Sequence, residues 1–270
     1  MSEKESDGIR QSVRKRYAEV AQRHTIDCCT AEPSSYREPS CCTDGLVVDE
    51  AYTQRIGYSA EELQSAPQGA NMSLGCGNPQ AIAALKPGEV VLDLGSGGGL
   101  DCFLAARQVG PEGRVIGVDM TPQMVSKARS NADAVDTSNV EFRLGEIEHL
   151  PVADGTVDVI LSNCVINLSP DKPQVFREAY RVLKPGGRLA VSDVVATADI
   201  PQELRNDEEL WSGCMGGAEE IGKLEEIMRQ VGFRDIRISP KDESREFMRE
   251  WAPGSRILDH LVSAMIEAIK

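Results

Sequence analysis

Apolar residues change their spacing sharply along this chain. Ile9, Val13, Tyr17 and Val20 recur at helical intervals and predict an amphipathic helix over residues 9–21. Between residues 25 and 45 the periodicity disappears. There Pro33, Ser34, Ser35, Pro39 and Ser40 surround the pairs Cys28-Cys29 and Cys41-Cys42, which predicts a long loop of the kind that often carries function. Ser59 followed by Glu62 is a capping box for a short helix that Pro67 and Gly69 end. Residues 73–79 read as a turn, with a short helix from 79 to 85.

From Glu89 onward, short β-branched runs alternate with longer helical patterns. The alternation predicts strands near residues 90–94, 114–118, 140–144, 157–162 and 187–192, and helices near 99–109, 123–134 and 172–183. Lys184-Pro185-Gly186-Gly187 reads as a tight turn closing the last of these helices. Beyond it come a helix near 219–231, a strand near 234–238, and Val262, Ala264, Ile266 and Ala268 at period two, read as an antiparallel strand. The fold class expected is α/β: an open Rossmann-like sheet, mostly parallel with an antiparallel C-terminal strand, and helices on both faces. Three segments are expected. Residues 1–80 cover the active site with a helix and a cysteine-bearing loop, 81–200 bind a cofactor, and 201–270 supply a substrate loop and closing strands.

Composition narrows the partners. Over 270 residues the formal net charge is −14, and no basic run or stripe offers a surface for a phosphate backbone, so nucleic acid is not expected as substrate. The first eight residues are polar and acidic, and no stretch approaches the roughly 18 apolar residues that a membrane span requires. A cytoplasmic protein is expected. In that compartment thiols stay reduced, so the eight cysteines point to metal binding or catalysis before disulfide staples.

Val90-Val91-Leu92-Asp93-Leu94 runs directly into Gly95-Ser96-Gly97-Gly98-Gly99 before a helix. Glycines there let the backbone approach a ligand at the carboxyl edge of a sheet. A dinucleotide fingerprint needs a glycine where Leu100 stands, and Asp119 ends the next strand where an acid can accept from ribose hydroxyls. Together these features resemble the class I S-adenosylmethionine methyltransferases over residues 89–192. The resemblance implies that Asp93, Gly95 and Gly97 line the methionine end of the cofactor and that Asp119 holds the ribose. It further implies that Met120 packs on the adenine, that Glu146 and Ile147 contact its edge, and that Asn163 lies near the sulfonium.

Cys76, Cys164 and Cys214 all fall on predicted connections, whereas Cys102 lies inside a predicted helix and reads as a packing residue. A zinc site is the rival reading for the loop cysteines, but no C-x-x-C pair occurs, and His24, His149 and His260 show no ligand spacing. Adjacent cysteine pairs also lack the intervening residues that let one loop present two ligands.

The cysteine-bearing stretches, with Val13-Arg14-Lys15-Arg16-Tyr17 and Lys241-Asp242-Glu243-Ser244, resemble the arsenite methyltransferases over nearly the whole chain. Animal and algal members carry aromatic residues before the cysteine that Cys76 matches, and Ser73 and Leu74 stand near that place here, so the chain resembles the microbial branch. It implies that Cys76, Cys164 and Cys214 bind trivalent arsenic, taken as arsenite or an arsenic–thiol conjugate and methylated in detoxification. One of Cys28, Cys29, Cys41 and Cys42 would join in thiol exchange or disulfide formation, with thioredoxin or glutathione as the thiol reductant. Arsenous acid is neutral at pH 7, so soft thiolates and not charge must capture it. Two other readings stay open: a methyltransferase on a small organic acceptor such as a quinone precursor, and a non-enzymatic thiol protein that binds arsenic.

Overall fold

The computed structural model describes residues 3–23, 49–135 and 137–270. Its strands are β1 (Val90–Leu94), β2 (Arg114–Asp119), β3 (Val140–Leu144), β4 (Val157–Asn163), β5 (Leu183–Ala196), β6 (Glu219–Glu220), β7 (Arg234–Lys241) and β8 (Leu261–Ile269). They form one sheet in the order β3-β2-β1-β4-β5-β8-β7, with the two-residue β6 beside β5. The first five strands are mutually parallel, and β8 runs antiparallel between β5 and β7. Strand order reverses between β1 and β4, which opens a crevice at the carboxyl edge where such sheets hold ligands.

The near-continuous apolar runs of β1 and β4 follow from helices covering both faces. The helices are α1 (Glu3–Arg23), α2 (Glu50–Arg55), α3 (Ala60–Ser65), α4 (Gln80–Ala83), α5 (Leu100–Val109), α6 (Pro122–Ala134), α7 (Lys172–Val182), α8 (Gln202–Arg205), α9 (Glu208–Ser212), α10 (Ile221–Val231) and α11 (Ser244–Met248). Val91, Val115, Val159 and Leu161 point to the face that α5 and α6 cover with Cys102, Phe103, Ala106, Val125 and Ala128. Leu92, Leu94, Ile116 and Ile160 point the other way, against Phe176 and Ala179 of α7 and Leu224 and Met228 of α10. A third apolar cluster lies over the carboxyl end and joins Val13, Tyr52 and Tyr58 to Cys76, Cys164, Cys214, Phe247 and Leu261.

The expected capping box is present: Ser59 accepts from the Glu62 amide, and the Glu62 carboxylate accepts from the Ser59 amide. The expected tight turn at residues 184–187 falls within β5, where it interrupts the ladder with β4. Val157 pairs with Leu183 while Val159 pairs with Arg188, so the extra residues are pushed out of the ladder, with Gly186 at φ +80°. The predicted connection that carries Cys214 follows directly on α9, which Asp207 caps through the amides of Glu209 and Leu210. No helix among the described residues is long and apolar enough to cross a membrane.

Candidate active site

At the carboxyl edge the Gly95 and Ser96 amides both donate to the Val118 carbonyl, folding the glycine loop back over β2. Gly95 sits at φ +69°, and a Cβ there would collide with Val165, so only glycine lets the loop lie this low. Asp119 accepts from the Gly97 amide at 3.0 Å and from the Thr121 amide at 2.8 Å. One hydrogen bond on each oxygen leaves acceptor capacity toward the crevice. Burial raises the Asp119 pKa, and these two amides oppose the rise.

Above the loop lies a cavity of about 320 Å³, lined by Gly95, Gly97, Asp119, Met120, Ile147 and Asn163 together with Tyr17, Cys164 and Cys214. Two residues expected here stand elsewhere. Asp93 lies beneath the loop, 3% exposed, and accepts from the Cys102 thiol at 3.2 Å. Glu146 faces α1 and pairs with Arg14 at 2.9 Å. Its near neighbour Glu148 lines the cavity instead, bound to Arg10 at 3.0 Å and to the Ser169 hydroxyl at 2.7 Å. Periodicity could not separate the two acids, because residues 145–150 are an irregular connection.

Helix α1 closes the crevice from outside. Arg14 donates to the Met120 carbonyl, and Arg16 reaches the Glu209 carbonyl and the Ser212 hydroxyl. The helix therefore spans from the glycine-loop side to the loop that carries Cys214. Tyr17, between these anchors, lines the cavity with Cys214, and its pKa is pushed well up by burial and by the neighbouring thiols. The amphipathic pattern predicted the helix but not what it covers.

Cys76, Cys164 and Cys214 converge from three loops, and all three are buried. Cys164 is central: hydrogen bonding to Cys214 and Cys76, then burial, holds its thiol well above the ordinary range. The hydrogen bond with Cys164 pulls the Cys214 pKa down, but burial and nearby charge leave it raised. Cys164 and Cys214 adopt φ +60° and +64°, a left-handed conformation that costs non-glycine residues free energy and tends to collect at functional sites. Both line the cavity, as does Gly75 next to Cys76 in the chain, while Cys76 itself is buried at 1% exposure. Its amide donates to Asn163 Oδ1 at 2.9 Å, and its sulfur lies 3.6 Å from the Ser192 hydroxyl. Gly77 packs so closely on Ser192 that a Cβ there would overlap the hydroxyl. Cys102 is in the α5 core, as its helical position predicted. Cys28, Cys29, Cys41 and Cys42 lie outside the described residues.

Sequence reading missed Asp193. Its carboxylate and the sulfurs of Cys76 and Cys164 all lie within 4.8 Å of one another, a grouping that a divalent metal ion can exploit. The carboxylate is already committed. Oδ2 accepts from the Ile166 and Asn167 amides, and Oδ1 from Asn167 Nδ2 and the Val194 amide. Four N–H groups fill its lone-pair directions, so the free donors in this group are sulfurs. That favours a thiophilic ligand over a mixed oxygen–sulfur metal site. Burial raises Asp193 to about 6, against the pull of the Val194 amide and of Lys172.

Comparison with known proteins agrees with this geometry. Residues 85–232 match a family model described as a methyltransferase domain. The whole chain is 49% identical to an arsenite methyltransferase of Halobacterium salinarum, covering 68% of that protein. It is 44% identical to the human arsenite methyltransferase over 53% of this chain and 40% of the human one. Among solved structures, an arsenic(III) S-adenosylmethionine methyltransferase from Chlamydomonas reinhardtii superposes with a TM-score of 0.61 at 35% identity, over 81% of this chain and 73% of the other.

Proposed function

The chain belongs to the arsenite methyltransferases, which are class I S-adenosylmethionine-dependent enzymes, and from that premise we propose that it methylates trivalent arsenic held by Cys76, Cys164 and Cys214. The observation that carries the reading is the convergence of three buried thiols beside the glycine-loop cavity. S-adenosylmethionine supplies an electrophilic methyl group. Gly95, Gly97 and Asp119 suit its methionine and ribose portions, and Met120 and Ile147 form an apolar wall for the adenine. Asn163 ties the two halves together by accepting from the Cys76 amide and donating to Tyr58 and the Gly77 carbonyl.

Arsenite enters by exchanging its hydroxyls for cysteine sulfurs, each exchange releasing one water that carries off the thiol proton. The arsenic keeps its lone pair, which attacks the methyl carbon, so no general base is needed and catalysis rests on positioning. Transfer oxidises arsenic by two electrons. Two thiols forming a disulfide would return it to the trivalent state, a role that suits one of Cys28, Cys29, Cys41 and Cys42. Thioredoxin or glutathione would then reduce that disulfide, and detoxification of arsenic is the biological role this chemistry serves. Mass-resolved analysis of products from purified protein, arsenite, S-adenosylmethionine and a thiol tests the reading. Methylated arsenic with stoichiometric S-adenosylhomocysteine supports it, and arsenite binding without turnover would overturn it.

A further inference from the structure

We propose that the Asp193 carboxylate stabilises the positive charge that builds on arsenic during methyl transfer. The inference rests on the function proposed above and concerns charge in place of ligation. Arsenic bound to three cysteine sulfurs is neutral. As its lone pair forms the arsenic–carbon bond, the carbon–sulfur bond of the methyl donor breaks and its electron pair stays on that sulfur. The positive charge thereby passes from the donor sulfur to arsenic. A fixed negative charge beside the arsenic ligands favours that passage, and it acts most strongly where water is excluded.

Asp193 has the placement and the rigidity this requires. It is 2% exposed, and its carboxylate oxygen lies within 4.8 Å of both the Cys76 and Cys164 sulfurs. Its four N–H bonds orient it in advance, so no reorganisation accompanies the reaction. Among the described residues it forms no ion pair within 4.0 Å that would quench its field. Lys172, the cation acting on it, turns its ammonium toward the Ser169 carbonyl.

The experiment compares wild type with Asp193→Asn in four measurements: thermal melting, arsenite titration without cofactor, cofactor dissociation constant, and single-turnover methyl transfer at saturation. Arsenic X-ray absorption on both proteins counts the sulfur ligands. The expected result is three sulfurs in each protein and both affinities unchanged within about threefold, with transfer slowed on the order of 10- to 100-fold. An unchanged transfer rate overturns the proposal. Loss of arsenite binding or of a sulfur ligand also overturns it, because the role would then be architectural. If Asp193→Asn does not fold, Asp193→Ser, which keeps an acceptor and admits a water, is read by the same criteria. Failure of the wild type itself to methylate arsenite would overturn the functional reading and is seen before any variant is made.

Discussion

The Ser263 hydroxyl donates a 2.6 Å hydrogen bond to the carbonyl oxygen of Cys76, joining residues 187 positions apart. Ser263 is fully buried on β8, far outside the cofactor loop, yet it fixes the backbone that presents a site thiol. Ser263→Ala would leave that carbonyl without this partner, at a cost of roughly 1–3 kcal/mol. We expect a lower melting temperature and weaker arsenite binding with unchanged cofactor affinity. Calorimetry of the two ligands separately checks this, and equal losses for both would show that the bond serves only the fold.

Among the described residues, the four buried cysteines separate by role. Cys76→Ser, Cys164→Ser and Cys214→Ser should each lower arsenite methylation at least about 100-fold, the scale of losing one positioned interaction at the reacting centre. Cys102→Ala should keep most activity and cost about 1–2 kcal/mol of stability, because its thiol only fills the α5 core and meets Asp93. Product analysis beside melting curves gives both readouts. Full activity in any of the first three variants contradicts the assignment.

Asp119 lines the cavity beside the glycine loop, and its two amide partners fix its direction. Asp119→Ala should weaken S-adenosylmethionine binding by about 10- to 100-fold, in line with losing charge-assisted hydrogen bonds. Arsenite binding measured without cofactor should stay unchanged. A variant that loses both affinities together would mean that the carboxylate shapes the whole edge.

The buried acids predict a pH dependence of stability. Burial raises Asp101 to about 6 and pushes Asp93 well up, while unfolded aspartates titrate near pH 3.9. A raised folded pKa gives stability that is complete below the unfolded value and is lost as pH rises through the folded one. Asp101→Asn carries no such charge. Its melting temperature relative to wild type should therefore rise by several degrees between about pH 4 and pH 7.5. A difference that stays flat across this range would show that Asp101 is not the group responsible.

What was legible in the sequence was local. The run Val90–Leu94 and the glycines after it name their own strand and turn, because buried parallel strands read as apolar blocks. Positions 76, 164 and 214 stood out because cysteine in a connection is unusual for a packing residue. Their convergence is implied by the family resemblance and by no local pattern, since it depends on three loops meeting over a sheet edge whose strand order follows from tertiary pairing. The family resemblance implies Glu146 at the adenine edge, but its pairing with Arg14 depends on how α1 lies across the crevice, and Glu148 takes the cavity position. Asp193 had a signal of its own. A single acid inside the apolar run Leu189-Ala190-Val191-Ser192-Asp193-Val194-Val195 asks for a reason, and its partners lie on the Cys164 loop.

The place of β8 has a consequence for synthesis. It lies between β5 and β7 and not at an edge, so β7 has no neighbour in the sheet until residues 261–269 have left the ribosome. Ser263 arrives with the same strand. Gly95, Gly97 and Asp119 therefore leave the ribosome long before the strand whose Ser263 braces Cys76. Premature termination within the last strand should yield a product that holds the methyl donor but grips the metalloid poorly.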